Sequence, residues 1–240
     1  MKKKLLFLLP FLLFSLTACD LSSLANQFGN DDESSEKEDE EGQGEPLKTN
    51  KEQTFNKLKE FGKTTGFDIT SEVKSSDQQD VSSVEVAMKG NKVWLISEHS
   101  SYSGIQLNND SITAFASDDG VTFEKNEIGQ EELDGKTPEE FFDDYLETIT
   151  SWLYFSDNGR SLGLTKVRDF TYVGRAATEY AMSLNYGTAS MNYKAYIDKE
   201  LGITLYWFGE ATSPEEGTDS SEFKVTSFKY GDQVVAPNIQ

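Results

Sequence analysis

Cysteine and histidine are almost absent from the chain, which has one of each among 240 residues. Because Cys19 is the single cysteine, an intrachain disulfide is excluded, and an exported domain must be held together by its core. His99 alone excludes a metal site built from several histidines and acid–base chemistry that needs two of them. A Ser-His-Asp triad would have to use His99, which we interpret instead as a turn residue. We therefore expect no enzymatic activity, no cofactor and no metal site.

Positive charge is also scarce, since 22 Lys and Arg stand against 42 Asp and Glu and the formal net charge is -20. Such a surface repels phosphate, so nucleic acid and anionic lipid headgroups are poor partners, whereas cations or basic proteins could be attracted. We interpret the excess acid as a source of solubility and of repulsion from the membrane surface. With this many acidic residues, a close carboxylate pair is uninformative as evidence for glycoside hydrolysis.

The chain lacks a hydrophobic run long enough to span a bilayer comfortably, which takes about 20 apolar residues. Residues 5–16 form a shorter apolar run, and residues 2–4, directly before it, are all lysines. Basic residues, a short apolar stretch and small residues at its end are typical of an export signal. We expect residues 1–18 to be a cleaved signal peptide.

The end of this signal, Leu16-Thr17-Ala18-Cys19, resembles the lipobox of bacterial lipoproteins, in which a leucine and two small or polar residues precede the lipid-bearing cysteine. The resemblance implies cleavage after Ala18 and a diacylglycerol on Cys19, with acyl chains such as palmitate. Because each buried CH2 group contributes about 0.8 kcal/mol, two acyl chains anchor a protein stably. The implied partner is the cell membrane, at its extracytoplasmic face. An ordinary secretory signal with a chance cysteine is the alternative.

Residues 19–50 have few apolar side chains and dense negative charge, most of it within residues 30–46. Such a composition cannot offset the entropy lost on ordering, so we predict a lipid-anchored, acidic, disordered tether. A calcium site is a weak alternative, because no loop of spaced carboxylates with its turn glycine is present. The composition changes near Lys51, and residues 51–240 are enough for a single globular domain.

Two helices are predicted from start signals that precede apolar residues at helical spacing. The first follows Asn50 as its N-cap and ends near Gly62. In the second, Thr137-Pro138-Glu139-Glu140 combines an N-cap, a proline at the first helical position and a carboxylate at the third, and the helix runs to about Phe155. Its wide apolar side predicts that it covers an apolar surface of a sheet. That side consists of Phe141, Phe142, Tyr145, Leu146, Ile149, Trp152 and Leu153.

The loop before the second helix, residues 129–137, looks like a phosphate-binding loop. It has five residues between its glycines where the motif has four, and three of the five are acidic and repel phosphate. We interpret it as a polar loop whose Thr137 caps the helix.

Most of the remaining domain alternates with a period of two, which indicates strands. Tyr180, Met182, Leu184 and Tyr186 form a one-sided stripe, whereas residues 203–208 are apolar on both faces and need cover on both sides or a ligand on one. Turns rich in Asn, Asp and Gly favour hairpins. We predict a mostly β (α+β) fold: a curved antiparallel sheet or half-barrel of about 9–11 strands with two helices packed on its concave face.

The order of helix, meander, helix and meander, with Tyr196-Ile197-Asp198-Lys199-Glu200-Leu201-Gly202-Ile203 and a late strand ending near Pro237, resembles the lipoprotein-carrier fold of bacterial lipoprotein localisation factors. That family encloses an apolar cavity for acyl chains between a curved sheet and helices. Because this chain carries a lipobox, the resemblance implies an anchored acceptor or lipid-binding protein rather than a soluble shuttle. It assigns no functional residue to a position in this sequence.

Three classes of function fit these observations. The leading hypothesis is a non-enzymatic, lipid-anchored binding module for an apolar ligand such as an acyl chain. The second is an envelope protein-interaction or structural lipoprotein with a filled core, and the third is a hydrolase. An aromatic stripe at helical spacing is also ordinary core packing, so the same side chains separate the first two classes. On the leading hypothesis, the ligand-binding residues are Trp94, Ile96, Phe141, Phe142, Tyr145, Ile149, Trp152, Leu205 and Trp207.

Overall fold

The computed structural model describes residues 45–75, 81–97, 101–155, 163–214 and 217–239. The regular elements are, in chain order, α1 (Lys51–Thr64), β1 (Phe67–Ser75), β2 (Ser82–Lys89), β3 (Lys92–Ser97), β4 (Ser101–Leu107), β5 (Ile112–Ser117), β6 (Glu124–Ile128), α2 (Pro138–Thr150), a 3-10 helix (Ser151–Leu153), β7 (Thr165–Tyr172), β8 (Arg175–Tyr186), β9 (Ala189–Asp198), β10 (Thr204–Ser213), β11 (Gly217–Tyr230) and a second 3-10 helix (Gly231–Gln233).

The described strands form one antiparallel sheet of 11 strands, in the order β6-β5-β4-β3-β2-β1-β11-β10-β9-β8-β7. Each half is a meander of consecutive hairpins: β1–β6 form the first meander and β7–β11 the second. The halves meet where β1 pairs with β11, and the described strands form an open sheet rather than a closed barrel. Together with the two described α-helices, this confirms the predicted mostly β, antiparallel architecture.

Helix α1 begins where its cap predicts. Asn50 Oδ1 accepts a hydrogen bond from the backbone N–H of Gln53 at 2.9 Å. The helix packs on the sheet through Leu58, which is fully buried, and through Gly62. A Cβ at Gly62 would lie 2.4 Å from Met88 Sδ, so the absence of a side chain is what lets α1 approach β2 this closely.

Helix α2 has the capping box that its sequence predicts. Thr137 Oγ1 accepts a hydrogen bond from Glu140 N at 3.2 Å, and Glu140 Oε2 accepts one from Thr137 N at 2.8 Å. The loop that looks like a phosphate-binding loop therefore ends as the cap of a helix. The α-helix ends at Thr150, earlier than expected, and continues as the 3-10 helix. The buried side of this segment contains Phe142, Leu146, Ile149 and Leu153.

The two helices lie side by side and antiparallel. Lysines along α1 reach acidic residues of α2 in reverse order, which shows the opposite directions. Exposed pairs of this kind contribute about 0–1 kcal/mol each, so they orient the helices more than they stabilise them. The pairs are Lys51 with Glu147 at 2.7 Å, Lys59 with Asp143 at 2.5 Å and Lys63 with Glu139 at 3.6 Å.

The sheet has two faces, because residues paired directly across neighbouring strands project their side chains to the same side. On the helix face, Phe67 pairs with Met88, and both lie beside Gly62 of α1. On the tail face, Ala87 pairs with Trp94, and both belong to a cluster that includes residues beyond β11. The helix face is thus the side of the sheet that carries Phe67 and Met88, and the tail face is the side that carries Ala87 and Trp94.

The chain crosses the tail face after β11. β11 ends at Tyr230, whereas the resemblance to the carrier fold implied an end near Pro237, because the 3-10 helix Gly231–Gln233 redirects the backbone. Residues 234–239, which we call the tail, then pass over the first meander, where Val234 packs in the cluster around Trp94.

Residues 45–47, which the sequence assigned to the tether, pair with the edge of β7. Pro46 forms an antiparallel bridge with Thr165, flanked by two backbone hydrogen bonds of 2.9 Å. The predicted signal peptide, Cys19 and the tether up to residue 44 lie outside the described residues. Among the described helices, none combines the length and the apolar character needed to cross a bilayer.

Candidate apolar ligand site

Two of the predicted ligand residues, Trp94 and Ile96, lie on the tail face, away from α2. Trp94 is 2% exposed and packs with Phe115, and Ile96 is partly buried against the same cluster. Leu95, between them, pairs with Ser103 on the helix face. The structure thus separates Trp94 and Ile96 from the helix with which the sequence grouped them. Because β3 is apolar on both sides, its alternation did not reveal which residues face α2.

Three further predicted residues, Phe142, Ile149 and Leu205, belong to the core. Phe142 and Leu205 are 0% exposed, and Ile149 is 4% exposed. A ligand could reach these side chains only by displacing packed neighbours. They therefore belong to the core and do not form the accessible surface of the candidate site.

The remaining predicted residues, Phe141, Tyr145, Trp152 and Trp207, are half-buried. The Tyr145 phenol shares a hydrogen bond with the Ser103 hydroxyl of β4, and burial raises the pKa of Tyr145, which stays neutral. This contact fixes α2 on the first meander. Trp152 lies instead against Phe223 of the second meander, and Trp207 is a residue of β10 in that meander.

Five aromatic side chains follow one another from the end of α2 across β9, β10 and β11, and we call them the aromatic row. Trp152 meets Phe223 edge to face, with ring centroids 6.3 Å apart. Phe155 meets Tyr193 edge to face at 6.1 Å. Tyr193 in turn stacks on Trp207 at 6.1 Å, with the rings 6° from parallel. Trp207 and Phe223 are paired residues, so the row follows the helix face of the sheet.

The aromatic row has a buried floor and a partly exposed rim. Phe223 is 1% exposed and Tyr193 is 8% exposed, and they form the floor. Trp152, Phe155 and Trp207 are half-buried and form the rim. Burial raises the pKa of the Tyr193 phenol, so the floor carries no charge at neutral pH. The row is an uncharged, largely carbon surface.

Local sequence features hold these rings in place. Gly209 leaves room for the Tyr193 ring, because a Cβ at this position would lie 3.2 Å from it. The Trp152 indole N–H donates a hydrogen bond to the Ile149 carbonyl at 3.3 Å, which ties the ring to the last turn of α2. Neither contact requires a charged group.

Apolar side chains of β8 and β9 extend the row toward the edge of the sheet. Met182 pairs with Tyr193 and Leu184 pairs with Met191, so these side chains also lie on the helix face. Met182, Leu184 and Met191 are half-buried. Methionine is unbranched and adapts to ligands of different shapes.

Sequence reasoning missed Phe155, Tyr193, Met191 and Phe223 as members of this site. Met191 and Tyr193 alternate with Asn192 in β9, so the period-two signal was present. That signal predicts a face but does not say which distant element covers it. The contact with the end of α2 emerges only from the fold.

The turn at residues 198–202, which carries the resemblance to the carrier fold, is organised by a buried ion pair. Asp198 accepts a hydrogen bond from Leu201 N at 2.7 Å. Arg175 donates to both oxygens of Asp198, at 2.7 and 3.1 Å, and its guanidinium lies 4.9 Å from the ring centroid of Phe228. Each charge is matched and hydrogen-bonded, so the pair has a structural role.

One carboxyl pair lies on the tail face, away from the aromatic row. Burial and then the charge of Asp68 raise the pKa of Glu85, and Lys229 Nζ lies 3.0 Å from Asp68 Oδ2. Within the described ranges, no group of three or more His, Cys, Asp or Glu side chains could hold a metal ion. The pair therefore adds no catalytic group to the candidate site.

Residues 159–163 match the Gly-x-Ser-x-Gly spacing of a nucleophile turn, a match that favours the hydrolase hypothesis on spacing alone. In hydrolases this turn follows a strand and precedes a helix. Here the described elements on either side are the first 3-10 helix and β7, and residues 156–162 lie outside the described residues. Ser161 and His99 both lie outside the described residues. The match gives the hydrolase hypothesis no structural support.

No protein-family model and no curated protein sequence matches the chain. Among solved structures, the chain is similar to MucB in complex with MucA(peri), with 16% identity and a TM-score of 0.31 over 79% of this chain and 57% of that one. The MucA/MucB complex of Pseudomonas aeruginosa gives 15% identity and a TM-score of 0.30 over 78% of this chain and 58% of that one.

An outer membrane lipoprotein-sorting protein domain from Vibrio parahaemolyticus is also similar, with 9% identity and a TM-score of 0.16 over 78% of this chain and 95% of that one. The chain spans a little over half the length of the two MucB structures, at 57% and 58%. At TM-scores this low we draw no functional argument from the likeness.

Proposed function

We propose that the protein is a lipid-anchored, extracytoplasmic binding module without enzymatic activity, which holds an apolar ligand such as an acyl chain on the aromatic row. Residues 1–18 are its signal peptide, Cys19 carries the diacylglycerol, and residues 20–44 form the acidic tether. The single domain that follows carries the ligand.

Incomplete burial of the rim is the observation that carries this proposal. Trp152, Phe155 and Trp207 stand on the helix face beside Met182, yet all four side chains remain partly exposed. Aromatic side chains bury about 150–250 Å2 each when covered, and contiguous exposed apolar surface marks interaction sites. A ligand that covers the rim completes this burial.

The chemistry of the row favours a long apolar chain. The side chains that form it are uncharged, and it continues to Leu184 and Met191 along the sheet. Each CH2 group that leaves water contributes about 0.8 kcal/mol, so affinity grows with the length of chain in contact. A sheet curved around α1 and α2, as in the predicted half-barrel, deepens this surface into a groove.

A filled core favours the second candidate, an envelope protein-interaction or structural lipoprotein. Phe142, Ile149 and Leu205 are packed in the way that this candidate requires. On that hypothesis the rim of the aromatic row meets a protein rather than a lipid. The two candidates therefore differ in whether the full chain binds an acyl chain.

Binding of an environment-sensitive fluorescent fatty acid to the full chain separates the candidates. Trp207→Ala removes part of the rim, and we expect at least about tenfold weaker binding, which corresponds to about 1.4 kcal/mol. Phe208→Ala is the matched control, because Phe208 is the next residue of β10, is also half-buried and faces the other side of the sheet. The control should bind like the wild type.

Native mass spectrometry of the protein extracted from membranes adds an independent measurement. A mass increment that matches a co-purified lipid, lost in Trp207→Ala and kept in Phe208→Ala, supports the proposal. A wild type that binds no fatty acid and carries none after extraction would leave the protein-interaction candidate in front.

The anchor is tested separately by detergent partitioning of Cys19→Ala. We expect the variant to stay in the aqueous phase and to incorporate no labelled fatty acid, because the acylated thiol is missing. A variant that still enters the detergent phase and carries label contradicts the anchor assignment and leaves the ligand site unaffected.

A further inference from the structure

The tail packs on a cluster of aromatic and aliphatic side chains of the tail face, and we call the surface that it covers the groove. Val234 is 1% exposed at the bottom of the groove, and Ala236 and Ile239 pack against the same cluster. Val235, between the first two, is 82% exposed. Val234 and Ala236 are two residues apart and Ile239 follows three residues later, so an extended backbone turns three of the six tail side chains toward the cluster. The walls of the groove are Trp94, Ile96, Tyr102, Phe115 and Phe123.

The tail backbone is held by two lysine side chains rather than by strand pairing. Lys89 Nζ donates hydrogen bonds to Val234 O at 2.8 Å and to Gly231 O at 3.3 Å. Lys92 Nζ donates to Pro237 O at 2.9 Å. In the part of the chain that the structure describes, the tail joins no strand of the sheet. These donors recognise carbonyl groups, which every peptide presents in an extended form.

The two lysines have no acidic partner among the described residues, although the chain has a formal net charge of -20. Lys92 is half-buried, and desolvation lowers its pKa. A desolvated cation that meets only neutral carbonyls is poorly compensated, whereas a carboxylate beside it forms a stronger, charge-assisted hydrogen bond. The groove is therefore better matched to an acidic peptide than to the tail that fills it.

We propose that the tail is a displaceable plug, and that the groove beneath it binds an extended peptide segment of another protein with apolar side chains at the spacing of Val234, Ala236 and Ile239 and an acidic group that meets Lys92. The tail shows the backbone path and the side-chain spacing that this partner adopts. The groove and the aromatic row lie on opposite faces of the sheet, so this interaction is independent of the proposed acyl ligand.

Thiol labelling tests whether the tail opens without global unfolding. In a full chain with Cys19→Ser, Val234→Cys places a single thiol on the buried side of the tail, and Val93→Cys, which is equally buried in β3, is the control. We expect Val234→Cys to be labelled at least about 100-fold faster, because local opening is far more frequent than global unfolding. Equal labelling rates would show that the tail is part of the core and would overturn the proposal.

Peptide binding tests the groove itself. Val234→Asp in the full chain should release the tail, and Val235→Asp, at the exposed neighbour, is the matched control that keeps it docked. A fluorescein-labelled peptide with the sequence of residues 231–239 should bind Val234→Asp at least about tenfold more tightly than the control. A folded Val234→Asp chain that does not bind the peptide would overturn the proposal, as would equal binding to both chains.

The acidic preference has its own measurement. The same peptide with Asn238→Asp should bind Val234→Asp about threefold more tightly than the unmodified peptide, and Lys92→Met in the chain should abolish that gain. A gain that survives Lys92→Met contradicts the role given to Lys92. Concentration-dependent dimerisation of the wild type would assign the groove to the tail of a second copy and would overturn the choice of partner.

Discussion

Two aromatic clusters on opposite faces of one sheet differ in what covers them. On the tail face Trp94 is 2% exposed, because residues 234–239 pass over it. On the helix face Trp152, in the 3-10 extension of α2, and Trp207, in β10, are only half-buried. Each cluster includes a tryptophan from a segment that is apolar on both faces, residues 93–96 for Trp94 and residues 203–208 for Trp207. The number of apolar residues in a cluster therefore does not show whether it is core or a binding site. What distinguishes the two is whether another segment of the chain covers the cluster.

The largest expected effect is on the covered cluster. Trp94→Ala should lower the free energy of unfolding by about 3–5 kcal/mol, because it leaves a cavity between the sheet and the tail. Urea unfolding followed by circular dichroism measures this loss, and fatty-acid binding should be unchanged. A loss below about 1 kcal/mol would remove the distinction between the two clusters.

Trp152→Ala should give the opposite balance on the helix face. Because the side chain is already part exposed, we expect a loss of about 1–2 kcal/mol in stability together with loss of fatty-acid binding. Urea unfolding and the fluorescent fatty acid measure the two quantities on one sample. A loss of about 3–5 kcal/mol, alongside a wild type that carries no lipid, would show that Trp152 is ordinary core.

A smaller effect is expected at the edge of β7, which residues 45–47 cover. A chain that begins at Lys48 loses the bridge between Pro46 and Thr165 and its two flanking hydrogen bonds. Since a net hydrogen bond contributes about 0.5–1.5 kcal/mol and this edge is exposed, we expect the melting temperature to fall by about 2–4 °C. A chain that begins at Gly44 keeps these contacts and should melt like the wild type. An unchanged melting temperature in the shorter chain would show that the bridge adds no stability.

The smallest expected effect is on the pH dependence of stability, and it comes from Glu85 on the tail face. Burial and Asp68 raise the pKa of Glu85 on the tail face, so the folded protein keeps a proton that the unfolded chain has lost. This contribution to stability is present at low pH and is lost as the pH rises from near 4.5 through the raised pKa. Glu85→Gln should flatten that part of the pH profile of urea unfolding relative to the wild type. An identical profile in the variant would contradict the assignment to Glu85.

Local signals explain why the helices were predicted well from the sequence. Thr137 and Glu140 form the capping box within four consecutive residues, and Asn50 caps α1 in the same local way. The end of α2 was predicted less well, since no glycine or proline stops it before the 3-10 helix. The sequence therefore predicts the first residue of these helices better than the last. Just after α2, Trp152 contacts Phe223, which is far away in the sequence.

Strands on the periphery show where the period-two signal fails. β6 (Glu124–Ile128) was not predicted, because an exposed edge strand needs no apolar face and this one is mostly charged. β10 (Thr204–Ser213) was predicted only to Phe208, since its polar second half pairs with the equally polar start of β11. Backbone pairing holds these segments in the sheet, and a hydrogen bond of 3.0 Å between the Thr212 and Thr218 hydroxyls adds to it between β10 and β11.

The sequence predicted only some of the residues of the candidate site. Trp152 and Trp207 were predicted together as ligand-binding residues, and both lie on the helix face. Trp94 and Ile96 were grouped with them because β3 is apolar in every position from 93 to 96. A continuous apolar run hides its orientation, and the tail that covers this strand comes from the far end of the chain.

The junction of the two meanders has a consequence for how the protein folds. Every pairing inside a meander joins neighbouring strands, whereas the pair in the middle of the sheet joins β1 (Phe67–Ser75) to β11 (Gly217–Tyr230), from opposite ends of the domain. Closing so long a loop is entropically expensive and slows folding. The hairpins of each half can therefore form early while the centre of the sheet waits for the whole chain. Until β11 arrives, β1 is an exposed edge strand, and the nascent protein is most open to aggregation at what will become its interior.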